Sequence, residues 1–308
     1  MEGNTGMPTE TRLQVVFADL RRAIDDVIGK HQVTPQEVTQ TLGWIQQVAD
    51  AGEFLQAAIL FGRPALEATE GASYAHPEKD GASHWQMEGP AYIPDSPSLE
   101  SPCALPMRPD EPGEPLIVSG TVRSTSGDPL PGALLDVWQT GANSIYSGLM
   151  TEDFLPFDIP NDSTGIPEFN LRGRITADSD GRYEFRTIMP GVEHLGFKQD
   201  GSPVTTLIKA LELEGVRPPH IHAMISAEGF HTLITQAYFD GDPLVNGTVE
   251  GHLPPSAVKA TIRHNDPADY HARGLSEPYR TLTYDYVLRP ITPPVLVRGG
   301  LKGFEPRP

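Results

Sequence analysis

The sequence predicts a mostly β protein: an antiparallel β-sandwich over residues 85–308, preceded by a small helical domain over residues 1–84. Three observations carry this. Apolar residues recur at helical spacing near the amino terminus and at period two beyond about residue 115. A stretch rich in Gly, Pro, Ser and Glu, from Gly71 to Glu114, separates the two regimes. No helix-spaced run of comparable length returns among the strands, so sheet must bury itself against sheet.

The first helix is drawn by Leu13, Val16, Phe17, Leu20, Ile24, Val27 and Ile28, with Arg21, Arg22, Asp25 and Asp26 between them and Gly29 as its stop. Thr34 is a cap residue, Pro35 suits a first turn and Glu37 sits at the capping-box position, so a second helix follows through Val38, Leu42, Ile45 and Val48. A third, from Glu53 to about Ala68, carries Phe54, Leu55, Ala58, Ile59 and Phe61. The three helices either close as a small domain or offer an apolar face to a second subunit. Strands follow at 116–122 and 133–139, joined by the turn Gly127-Asp128-Pro129-Leu130-Pro131-Gly132. The hairpin turn Asp178-Ser179-Asp180-Gly181 opens a strand over 182–188, and further strands are expected at 220–226, 233–239 and 281–288.

Composition narrows the function. The chain has 308 residues, 38% of them hydrophobic, with 31 prolines and 30 glycines. Its net charge of −18 argues against nucleic-acid backbones and anionic membranes as partners. The sole cysteine, Cys103, excludes an intrachain disulfide and a thiolate-rich metal site. Met1 to Glu10 lacks the layout of a secretory signal and no apolar run approaches a membrane span, so the chain reads as cytoplasmic.

The chemistry is concentrated in Arg217-Pro218-Pro219-His220-Ile221-His222. In a strand, alternate side chains share a face, so both imidazoles point one way and Ile221 the other. Two neutral imidazoles suit a borderline transition metal. Arg217 adds a permanent cation where an anionic substrate must be held. Alone, the pattern also fits two unconnected strand histidines.

Taken in order, several segments resemble the intradiol ring-cleavage dioxygenases, non-haem ferric enzymes that split catechols between their hydroxyl-bearing carbons. Glu88-Gly89-Pro90-Ala91-Tyr92-Ile93 looks like the lead-in to that family's catalytic domain. Leu130-Pro131-Gly132-Ala133, then Asp136-Val137-Trp138-Gln139 and Tyr146-Ser147, is similar to the segment bearing its first iron tyrosine. Glu168-Phe169-Asn170-Leu171-Arg172, Asp180-Gly181-Arg182-Tyr183, Phe185-Arg186-Thr187-Ile188, the Arg-Pro-Pro-His-Ile-His run and Gly229-Phe230 through Thr235-Gln236 and Gly241-Asp242 continue the match. It spans roughly residues 85 to 250.

The resemblance implies Fe(III) held by two tyrosinates and two histidines, with a catechol displacing one tyrosinate as it chelates. By position, Tyr146, His220 and His222 are three ligands, Arg217 stabilises the electron-rich substrate, and Gln236 is a polar residue of the same pocket. It also implies a small aromatic diol and O2 as reactants, and a homodimer through the amino-terminal helices. The fourth ligand departs from the pattern. Met189-Pro190-Gly191-Val192-Glu193-His194-Leu195-Gly196-Phe197 contains no tyrosine. His194 is the expected occupant, with Glu193 as competitor and a site of three protein ligands plus water as the third option. Tyr183, inside a strand, is expected in the core. The stretch Leu149 to Pro167 is longer than in the catechol-cleaving branch, and its Met150, Phe154, Leu155 and Phe157 either form a lid or cover the sandwich.

Three functions follow. The first is cleavage of a catechol or hydroxyquinol to a muconate-type dicarboxylate. The second, suggested by the lost tyrosine, is altered chemistry on the same scaffold with an unusual diol. The third is a non-catalytic transthyretin-like binding module, which has no need of His-x-His. Gln236 and Glu168-Phe169-Asn170 lean toward catechol, whereas Arg186-Thr187-Ile188-Met189-Pro190 and Asp200-Gly201-Ser202-Pro203-Val204 lean toward hydroxyquinol. Met87, Pro90 and Ala91 begin the pocket wall, where Ala91 replaces a bulkier residue and implies a roomier pocket.

Overall fold

The computed structural model describes residues 11–54, 56–57, 71–154, 159–196, 201–246 and 253–291. Contacts divide the chain into two compact units, Met1–Phe54 and Leu55–Pro308. In the first, α1 (Arg12–His31) and α2 (Pro35–Asp50) each begin with a full capping box, Thr11 with Gln14 and Thr34 with Glu37. Gly29 does not stop α1. The helix runs on to His31 and ends at Gln32, whose φ of 54° turns the chain and whose N–H donates to the Ile28 carbonyl. One interior glycine costs only about 1 kcal/mol relative to alanine, too little to end a helix that has a later cap. Leu13, Phe17, Leu20 and Val27 of α1 and Leu42 of α2 are exposed, whereas Val48 of α2 is buried. The third helix drawn from the sequence falls largely outside the described residues.

The second unit is sheet-rich. Its elements are β1 (Ser98–Glu100), β2 (Cys103–Ala104), β3 (Pro115–Ser124), β4 (Leu134–Gln139), β5 (Arg172–Thr176), β6 (Arg182–Ile188), β7 (Glu193–His194), α3 (Pro203–Ala210), β8 (Val216–Arg217), β9 (His220–Ser226), β10 (Leu233–Phe239), β11 (Val258–Lys259), β12 (Thr261–His264), α4 (Pro267–Ala272), β13 (Tyr279–Thr283) and β14 (Tyr286–Leu288). One sheet has the order β1-β5-β4-β9-β10-β11. The other has the order β12-β13-β3-β6-β2, with β14 also on β3, and β7 pairs β8 separately. The longest pairings are antiparallel: β3 with β6, and β9 with both β4 and β10. Parallel pairing is confined to shorter additions, namely β1 on β5, β2 on β6, β11 on β10, and β13 and β14 on β3. Such brief strands carry too few residues for a period to show.

Alternation decides what each sheet buries. Leu135 and Val137 of β4, Ile221, Ala223 and Ile225 of β9, and Leu233 and Ala237 of β10 join Leu116, Val118, Phe185 and Leu282 of the other sheet in one buried cluster. Tyr183 belongs to it as expected, its hydroxyl donating to the Tyr284 carbonyl. On the opposite face, β4 presents Asp136 and Trp138, β9 presents His220, His222 and Met224, and β10 presents Gln236 and Tyr238. Residues 71–84, assigned from composition to the helical domain, pack on the sheet unit. Tyr74 lies in the core cluster, its hydroxyl 2.7 Å from the His231 carbonyl, and Ser83 N–H donates to the Val287 carbonyl at 3.0 Å. Two anchoring residues in a polar, irregular stretch leave no periodic signal.

The strand expected over 281–288 is broken at Tyr284-Asp285, where it crosses close to Gly120 of β3. A Cβ on Gly120 would lie 2.0 Å from the Tyr284 carbonyl oxygen. Backbone cannot swing aside as a side chain does. Gly120→Ala is therefore expected to destabilise the protein by about 2 kcal/mol or more, the cost of overpacking. Thermal unfolding checks this, and an unchanged midpoint would show that the two strands separate freely.

Candidate metal centre

His220 and His222 stand on the outer face of the β1-β5-β4-β9-β10-β11 sheet, both buried. Strand register sets their neighbours. His222 lies between Trp138 of β4 and Gln236 of β10, and His220 lies beside Tyr238 of β10. The Trp138 indole stacks on His222 with ring centroids 4.8 Å apart and planes 8° from parallel. His220 Nδ1 is 2.7 Å from the Pro218 carbonyl. That oxygen can only accept, so Nδ1 carries the proton and the Nε2 lone pair turns inward. His222 Nε2 is 2.9 Å from it.

Tyr146 completes this side. Its hydroxyl is 3.0 Å from His222 Nε2 and its ring is buried. The loop after β4 is fixed by Asn161, which accepts from Tyr146 N–H at 2.8 Å and donates to the Tyr146 carbonyl at 3.0 Å. Arg172, fully buried, donates to the carbonyls of Ala91 (2.7 Å) and Ser147 (3.0 Å) and sits 5.8 Å from the Tyr146 ring centroid. The long stretch 149–167 supplies Asn161, and its Phe154 and Ile159 cluster with Ala91, Trp138 and Tyr146. It covers the tyrosine. Leu155 and Phe157 lie outside the described residues. Ala91 is fully buried in that cluster, so its side chain is packed against protein.

The fourth position corrects the sequence-based expectation. In the pairing of β7 with β8, Glu193 lies opposite Arg217 and His194 opposite Val216. Adjacent strand residues face opposite ways. Glu193 is buried and His194 exposed. The Glu193 carboxylate accepts from Arg217 Nη1 and lies 3.2 Å from His220 Nε2. The structure thus brings Glu193, and not His194, to the histidines.

Arg217 and Gln236 both reach this cluster. Arg217 Nη2 donates to Gln236 Oε1 at 2.8 Å and to the Tyr238 hydroxyl at 2.9 Å. Gln236 Nε2 donates to the Met87 carbonyl at 2.7 Å and is 3.3 Å from His222 Nδ1. Sequence reasoning did not name Trp138, Tyr238, Asn161 or Arg172 as site residues. For Trp138 and Tyr238 a signal existed, since period two puts them on the histidine face. Which residue lies opposite which histidine depends on register between distant strands.

The electrostatics favour a cation. Burial alone would raise the Glu193 carboxyl, but the Arg217 guanidinium beside it holds it well below the usual carboxylate range. Burial, then the neighbouring Glu193 charge, pushes the Tyr146 phenol well above its ordinary value. Burial, then His220, pushes His222 well below neutrality. The site therefore holds a carboxylate, a neutral His222 imidazole and a phenol that needs a Lewis acid to lose its proton. The ligand atoms of Glu193, His220 and His222 all lie within 4.8 Å of one another. With the Tyr146 hydroxyl beside them, this nitrogen and oxygen donor set fits an iron ion.

The family model described as Dioxygenase matches residues 87–290. A chlorocatechol 1,2-dioxygenase of Rhodococcus opacus is 32% identical over 241 residues, covering 77% of this chain and 84% of that protein. A hydroxyquinol 1,2-dioxygenase of Rhizobium sp. strain MTP-10005 is 31% identical over 282 residues, covering 91% and 90%. Among solved structures, 3-chlorocatechol 1,2-dioxygenase from Rhodococcus opacus 1CP matches with a TM-score of 0.65 at 27% identity, over 91% of this chain and 99% of its own. Hydroxyquinol 1,2-dioxygenase from Pseudomonas putida DLL-E4 matches with a TM-score of 0.71 at 23% identity, over 92% and 94%, a likeness of fold.

Proposed function

Because the chain belongs to the intradiol ring-cleavage dioxygenases, a family of non-haem iron oxidoreductases, we propose that it cleaves a catechol- or hydroxyquinol-type diol with O2, incorporating both oxygen atoms to give a muconate-type dicarboxylate. The observation that carries this is the convergence of two imidazoles, a phenol and a carboxylate beside a buried guanidinium. We assign Tyr146, Glu193, His220 and His222 as the residues that would hold Fe(III), and Arg217 and Gln236 as those that meet the substrate.

Bound iron would supply the Lewis acidity that ionises Tyr146 and the diol and lets an electron-rich ring react with O2. The protein does the rest. The Pro218 carbonyl keeps a lone pair on His220 Nε2, and Trp138 holds the plane of His222. Glu193 retains the negative charge that the family's second tyrosine supplies, but a carboxylate is a weaker base than a phenolate and a poorer acceptor for a diol proton. Arg217 sets a fixed positive charge beside the reacting ring, where exclusion of water makes it count. The exposed apolar residues of α1 and α2 support a homodimer formed through the amino-terminal helices. Substrate choice leans both ways, with Gln236 on the catechol side and Asp200-Gly201-Ser202-Pro203-Val204 on the hydroxyquinol side. Among the described residues no helix is long and apolar enough to cross a membrane.

Oxygen uptake with a small panel of diols tests the reading, with one O2 consumed per diol as the expected stoichiometry. The alternative, altered chemistry on an unusual diol, rests on the absence of a second tyrosine alone. Iron-loaded protein that takes up no oxygen with catechol or hydroxyquinol would select it. Colour tests the ligand set. Ferric tyrosinate absorbs visible light by charge transfer from phenolate to iron, and here only Tyr146 supplies a phenolate. The oxidised holoprotein should be weakly coloured and Tyr146→Phe colourless. A coloured Tyr146→Phe variant would mean that another tyrosine binds the iron.

A further inference from the structure

Strand β10 places two polar residues on the histidine face, Gln236 opposite His222 and Tyr238 opposite His220. Gln236 belongs to the pocket already described. Tyr238 has no role there, yet it is fully buried and its ring leans on His220 with centroids 5.2 Å apart. Its oxygen is 2.9 Å from Arg217 Nη2 and 2.8 Å from Gln236 Oε1, while Arg217 Nη2 is itself 2.8 Å from that same Oε1. The three groups close a triangle. A guanidinium only donates, so the phenol oxygen accepts from Arg217 and its O–H donates to Gln236 Oε1. At this point a group must accept and donate at once, as a hydroxyl does and a phenylalanine ring does not. The ring clusters with Leu253 and Ala257, backed by Val245 and Val258, so the hydroxyl is held in place. Arg217 is thus gripped at both ends, Nη1 by Glu193 and Nη2 by Tyr238 and Gln236.

We propose that Tyr238 is a positioning residue for ring cleavage: it fixes the direction of the Arg217 guanidinium toward the reacting diol without touching the metal or the substrate. This rests on the dioxygenase reading. Its physical basis is that a charge works in catalysis only when it is already oriented, and a misplacement of about 1 Å can cost roughly 100-fold in rate.

The test is Tyr238→Phe, which keeps the ring and its packing and removes only the hydroxyl. Iron content and the visible band should be unchanged, with kcat lowered about tenfold or more and KM moving less. Because Tyr238 acts through Arg217, the double variant Tyr238→Phe/Arg217→Ala should be no slower than Arg217→Ala alone. Losses that multiply, or an unchanged kcat, would overturn the proposal. So would loss or displacement of the visible band, which would make Tyr238 an iron ligand. A crystal structure of Tyr238→Phe decides the matter independently of turnover. The guanidinium should leave its contact with Gln236, and an unmoved Arg217 would overturn the role even if no diol were cleaved. Failure of the wild-type protein to cleave any diol would count against the dioxygenase reading alone.

Discussion

Replacing His220 by alanine is expected to leave a folded protein that no longer retains iron. His220 Nε2 lies 2.9 Å from His222 Nε2 and 3.2 Å from the Glu193 carboxylate, so it stands between two of the other donors. Changes to residues that merely orient metal ligands cost 10- to 100-fold in affinity, so removing a ligand should cost about 100-fold or more. Folding should survive, because the side chain lies on the outer face of its sheet, away from the cluster that joins the two sheets. Metal analysis after dialysis, read with oxygen uptake, checks this. Full iron occupancy in His220→Ala would remove the assignment. Glu193→Ala should also lose iron, whereas His194→Ala, a change at an exposed side chain, should keep both iron and turnover.

Arg217→Ala is expected to lower kcat by roughly two to three orders of magnitude while iron stays bound. It should also cost stability. The side chains of Arg217 and Glu193 are 8% and 3% exposed, and removing one partner of a buried ion pair costs about 3–5 kcal/mol because the other charge is left without compensation. The loss should be greater in the iron-free protein, since a bound cation takes over as the partner of Glu193. Adding Glu193→Gln to Arg217→Ala should recover stability in the iron-free form without recovering turnover. Steady-state kinetics and urea unfolding, each with and without iron, separate the two effects. A variant with unchanged kcat would make Arg217 a structural cation only.

The elements that were legible were those whose signal is local and long enough to repeat. Strands β6, β9 and β10 lie over the residues that alternation marked, and Thr34-Pro35-Gln36-Glu37 opens α2 through a capping box. Strand β5 and the short edge strands were not drawn, because two to five residues hold too little of a period. The break at Tyr284-Asp285 was hidden for another reason: it answers the close approach of Gly120, more than 160 residues earlier in the chain.

For the site, the sequence by itself determined the pair of same-face imidazoles, since period two is a property of any strand through His220-Ile221-His222. It also brought Tyr146, Arg217 and Gln236 into consideration through an ordered set of motifs. Only the tertiary structure decided which residue stands beside the histidines in the segment that lacks a tyrosine. Glu193 and His194 are neighbours on a two-residue strand, and its pairing with Val216–Arg217 turns Glu193 inward and His194 to solvent. A slip of one residue would exchange them. The local sequence does not hold that register. The buried Arg217 favours it, because a guanidinium in that position requires a carboxylate opposite it.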